Sequence, residues 1–187
     1  MTGERPKRAG SDVERPHFLW WKLGAVWAGF LALHFSYDAI PGTAFRILAE
    51  EHETTFLHMK MLFVAYVVVS LIELAARRAR LPSVATFVYS RALVAVAFPW
   101  FTITLWFTSE ALGFGRPGRV GEIVYANIAT FLGIYAALRM EELFEGVHFR
   151  PAMKAMVVLL FVVAVLSYVA FSLDTPMPFF TTPPEYL

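Results

Sequence analysis

Five apolar stretches, each long enough or nearly long enough to cross a bilayer as a helix, constrain this chain more than any other feature. They run from about Phe18 to Tyr37, Phe56 to Ala76, Val88 to Thr108, Ile123 to Leu138 and Met153 to Leu173. A spanning helix needs roughly 20 mostly apolar residues, with about 17 tolerated. The fifth stretch meets this outright. The second meets it if Lys60 snorkels and Glu73 faces protein or water. The fourth is short unless its flanks count, so four helices plus a re-entrant segment stands as the alternative to five. The expected fold is all-α, a polytopic bundle of five transmembrane helices.

Charge is scarce and gathered between these stretches. The chain is 58% hydrophobic and 17% charged, too little charge to cover a soluble domain of 187 residues. Its net charge of +1 shows no clustered basic face, so no nucleic acid is expected as partner. With no cysteine, disulfides, thiolate nucleophiles and cysteine-held metal centres are excluded. Residues 1–16 are polar and aperiodic and read as a disordered cytoplasmic tail; 17–173 form the transmembrane domain, and 174–187 a Pro-rich extracytoplasmic tail.

Lys and Arg give the orientation. Arg5, Lys7, Arg8, Arg15 and Lys22 precede or open the first helix. Arg77, Arg78, Arg80 and Arg91 surround the second connection, and Arg139, Arg150 and Lys154 the fourth. Only Arg46, Lys60, Arg116 and Arg119 fall on the other side. The bias places the N-terminus in the cytoplasm and the C-terminus outside, as an odd number of spans requires. Small residues four apart (Gly24 and Ala28, Ala25 and Gly29, then Ala129, Gly133 and Ala137) predict close helix approach. Pro99 is expected to kink the third helix. Asn127 and Thr130 are expected to bond to a neighbouring helix.

Chemistry concentrates at the outer ends of helices 1 and 2. His34 and Asp38 share a helical face, and RILAEEHETTFLHMK, Arg46 to Lys60, brings carboxylates and imidazoles to the same membrane face. Such groups suit a divalent metal or a proton relay. His52 and His58 are six apart, however, not four as in HExxH. Glu50 to Glu53 also read as a solvated loop that caps helix 2. A b-type haem needs two histidines facing each other, which His34 and His58 offer only if helices 1 and 2 are adjacent.

LHFSYD at Leu33 to Asp38, HETTFLHMK at His52 to Lys60 and the Ile72-Glu73 pair resemble a family of small prokaryotic membrane proteins catalogued as domain of unknown function 6512. The Pro- and Phe-containing end, Phe171 to Leu187, is similar too. The resemblance implies a five-helix fold and a prokaryotic plasma membrane, lends no activity, and marks His34, Tyr37, Glu53, His58, Lys60 and Glu73. This chain departs from the family's pattern with His52 for Asn, Phe56 for Trp and Leu57 for Glu. The polar cluster expected to bind any ligand is thus His34, Tyr37, Asp38, Glu53, His58, Lys60 and Glu73, with His34 and His58 as metal candidates.

Glu73 has a second reading as an i,i+4 ion pair with Arg77, with Arg91 as a further partner. Glu141, Glu142 and Glu145 with Arg139 read as a solvated helix end. Gly113, Gly115 and Gly118 spell GxGxxG, but without a preceding strand this reads as a turn. Trp20, Trp21, Trp100 and Trp106 read as interfacial anchors.

Three function classes survive. The first is a membrane scaffold, subunit or assembly factor, with the bilayer and other membrane proteins or a second copy as partners. The second is a binder or transporter of a small molecule, ion or lipid at the outer pocket. The third is a metal- or haem-dependent intramembrane enzyme. The missing nucleophile–base pair and ligand set lean away from an enzyme.

Overall fold

Apolar runs of this length leave the backbone one way to satisfy its hydrogen bonds in hydrocarbon, and that is the helix. The computed structural model describes residues 15–36, 54–113 and 118–173. Among these residues it forms α1 (Arg15–His34), α2 (Thr55–Arg77), α3 (Val84–Ala111), α4 (Gly118–Glu145) and α5 (Pro151–Leu173), with a 3-10 turn, Arg78–Arg80, after α2. No strand occurs among the described residues. The helices α2 to α5 are each long and apolar enough to cross a membrane. α1, which carries Lys22 and two histidines, is not among these four.

Local chemistry sets the boundaries. Thr54 caps α2 in an extended conformation, its hydroxyl accepting from the Leu57 N–H at 3.0 Å. The cap is thus a threonine, and no acid stands in the first turn of α2. Ser83 plays the same part for α3, accepting from the Thr86 N–H at 3.2 Å. Pro151 opens α5, where its missing N–H costs nothing. Gly113 and Gly118 bracket the α3–α4 connection with φ of 74° and 78°, a left-handed conformation that β-carbons disfavour. That fits the turn reading of GxGxxG.

The fourth helix gains its length from its flanks, as the five-helix reading requires. It reaches 28 residues instead of the short Ile123–Leu138 run, because both polar flanks stay helical. At 1.5 Å per residue it is about 42 Å long, enough to cross without a re-entrant segment.

Helices α1 to α4 form a ring: α3 packs on α2 and α4, and α1 on α2 and α4. The fifth helix leans on the outside against α3 and meets α2 through aromatic contacts such as Phe63 with Phe161 and Tyr168. Val26, Met61, Tyr66, Val94, Ile134 and Leu138 fill the ring's centre. The small-residue spacing performs as expected at two of three places. Gly29 faces Ala65 across α1–α2, and Gly133 faces Thr102 across α3–α4. Gly24 has nothing beside it. Pro99 sits inside α3 without ending it. Asn127 differs from expectation, donating at 2.8 Å to the Ile123 carbonyl of its own helix. A side chain so engaged needs no neighbour.

Candidate functional site

Each helix of the ring carries an inward stripe of apolar residues, and each stripe is continued by one charged residue a turn nearer the same end of the bundle. On α1, Lys22 precedes Val26 and Phe30; on α2, Glu73 follows Tyr66 and Val69. On α3, Arg91 precedes Val94, Ala95 and Phe98, and on α4 Glu141 follows Ile134, Ala137 and Leu138. Positions three and four apart share a helix face, so the four charges must meet at the centre.

They do. Lys22 Nζ donates to Glu73 Oε2 and to Glu141 Oε1, both at 2.6 Å. Arg91 Nη2 lies 3.1 Å from Glu73 Oε1 and 3.2 Å from Glu141 Oε2. Two cations and two carboxylates therefore alternate around a closed, neutral ring, with no member more than 6% exposed. The Tyr66 phenol donates to Glu141 Oε1 at 2.5 Å. Towards the surface, Arg77 donates to Glu73 at 2.7 Å and Arg91 Nη1 to Glu145 at 2.6 Å. The Arg91 guanidinium carbon also lies 4.0 Å from the centre of the Phe87 ring, over its face. A buried charge is costly when unpaired, and here each of the four is paired.

Both expected partners of Glu73, Arg77 and Arg91, are present. Two members of the ring went unrecognised in the sequence. Glu141 is buried at 4% exposure instead of solvated, because only its neighbours Arg139 and Glu142, paired at 2.8 Å, turn outward. Lys22 had read as an orientation charge and is instead fully enclosed. The signal was available: both stand in phase with an apolar stripe.

The opposite end holds the other candidates. His34 and His58, on adjacent helices, bring their rings to 5.4 Å between centroids, with Phe30 6.1 Å from each. His58 Nδ1 lies 2.8 Å from the Thr54 carbonyl, which can only accept. Nδ1 is therefore the donor in that contact. Lys60 points elsewhere: two residues on, it crosses to the α5 side of α2 and donates to Ser172 Oγ at 2.7 Å. Glu73 is fifteen residues from His58, about 22 Å along α2. Of the expected cluster, then, His34 and His58 are together, Lys60 is separate, and Glu73 belongs to the ring. Tyr37, Asp38 and Glu53 lie outside the described residues, as do His52 and both terminal tails. No group of three His, Asp or Glu able to hold a metal gathers among the described residues.

No family model, curated protein or solved structure matches this chain. The helical, apolar bundle is compatible with an integral membrane protein, and that is the class which fold and composition define.

Proposed function

We propose that this chain is a five-span protein of a prokaryotic plasma membrane, a member of the five-helix family it resembles, serving as a scaffold, subunit or assembly factor. Its N-terminus lies in the cytoplasm and its C-terminus outside. The observation that carries the reading is the closed charge ring. Every ring helix contributes one charge, and each charge is neutralised by its neighbours at 2.6 to 3.2 Å. A catalytic or transporting centre needs at least one such group turned towards its substrate. Here the chemistry is spent on joining helices.

The absence of cysteine makes the topology directly testable. Single cysteines at Ser11→Cys and Thr181→Cys, probed in intact cells with a membrane-impermeant maleimide, should give labelling at residue 181 only. Equal labelling of both would mean an even number of spans and sink the five-span reading.

The approach of His34 to His58 favours a second reading, a binding site at the outer end. Native mass spectrometry from mild detergent separates the two. The scaffold reading expects no difference in bound mass or in thermal transition between wild type and His58→Ala. A discrete metal, haem or other small mass present in the wild type and lost in His58→Ala would transfer the conclusion to the binding site.

A further inference from the structure

A cavity of about 300 Å³ opens between α2, α3 and α5, just outside the charge ring. That is the lower end of the size range of ligand pockets. Its walls are almost wholly apolar. Along α3 they extend from Phe87 to Ala95, about 12 Å of helix rise. Its outer edge is formed by Leu71, Val88, Val158 and Val162, all well exposed on the face that the membrane reading turns towards lipid.

The charge of the rim shows that the occupant is more than a bulk hydrocarbon tail. Arg78 stands one turn past Leu74, which lines the cavity, and Lys154 one turn before Val157 and Val158, which line it too. Lys154 is held 5.6 Å over the ring of Tyr89, another wall residue. Arg80 and Arg150 lie exposed at the same end. The nearby acids Glu142 and Glu145 are already taken up by Arg139 and Arg91. Basic pockets between spans on the cytoplasmic side are places where anionic headgroups collect.

The geometry points to a site for one anionic glycerophospholipid. An acyl chain fills the α2–α3–α5 cavity, and the phosphate sits between Arg78 and Lys154. This rests on the membrane reading and fails separately from it. A chain released from membranes by alkaline carbonate, without detergent, would overturn both. A chain extracted only by detergent but indifferent to headgroup would overturn the lipid site alone.

The test is native mass spectrometry of the full chain in mild detergent, titrated with dioleoyl phosphatidylglycerol or dioleoyl phosphatidylcholine. Wild type should hold one phosphatidylglycerol in clear preference. Arg78→Gln and Lys154→Gln should each reduce that preference about fivefold. Ala92→Leu and Val158→Trp, which narrow the cavity, should weaken both lipids with an unchanged thermal transition. Two substitutions guard against one of them misfolding. Arg139→Gln removes a basic residue at the same end, away from the rim, and should change nothing. Equal retention of the two lipids, an undiminished preference in the rim variants, or an equal loss in Arg139→Gln would each overturn the site.

Discussion

Lys22→Met is expected to destabilise the protein by about 3–5 kcal/mol, the range seen when one partner of a buried ion pair is removed. The lysine is 1% exposed and bridges two carboxylates at 2.6 Å each. Without it, Glu73 and Glu141 share the single Arg91 charge at the centre. The intact ring's net contribution is a different and smaller quantity. Polar contacts between membrane helices average about 0.6 kcal/mol, because the dispersed helices also find partners. The ring is therefore weakly stabilising when whole and strongly destabilising when broken. That asymmetry is a means of specifying which helices pack, and in which register. The second substitution follows from the same logic. Glu141→Gln alone leaves Tyr66 an acceptor but leaves Lys22 and Arg91 with one carboxylate at the centre. Combined with Lys22→Met it restores neutrality, Glu73 facing Arg91. The double variant should be less destabilised than the sum of the singles by about 0.5–3 kcal/mol, measured by thermal or SDS unfolding in detergent. Strict additivity would show that the four charges do not act as a unit. Arg139→Met, at an exposed pair with Glu142, should stay within about 0.5 kcal/mol of wild type.

The sequence was most legible where a single physical rule decides the outcome. Long apolar runs become helices because lipid leaves no alternative, and all five stretches did so. Glu73 with Arg77 and Arg91 was readable because i,i+4 geometry is local and the α2–α3 turn is short. Lys22 and Glu141 were not read because two rules compete for them. Near a helix end, charge is ordinarily solvated and counts towards orientation; in phase with an apolar stripe, it is carried inward. The stripe won because four such charges on four helices cancel, a compensation visible only once the ring closes. The histidines show the converse limit. Sequence could say that His34 and His58 lie at one end, but not that α1 adjoins α2, on which their contact depends.

Gly133→Leu is expected to be the most damaging substitution in the apolar part of the bundle. Even the β-carbon of alanine, placed at residue 133, would stand 2.9 Å from Thr102 Cβ and closer still to Thr102 Oγ1. Thr102 cannot swing clear freely, since its hydroxyl donates to the Phe98 carbonyl at 3.0 Å and it is 3% exposed. Ala129 and Ala137, one turn either side, are also buried, so the two backbones approach along a stripe and α4 cannot tilt away at one point alone. Overpacking of this kind costs about 1–3 kcal/mol for alanine and more for leucine. The effect should propagate, because α4 carries Glu141 and any outward shift lengthens its contacts with Lys22 and Arg91. Gly133→Ala should accordingly lower the thermal transition in detergent and weaken the penalty of a following Lys22→Met, whose contacts are already loosened. Thr102→Gly should restore part of the loss, less the roughly 1 kcal/mol that a glycine costs inside a helix. If Gly133→Ala instead proves neutral while Thr102→Gly destabilises, the two helices are held by Thr102 packing and not by the absence of a side chain at 133.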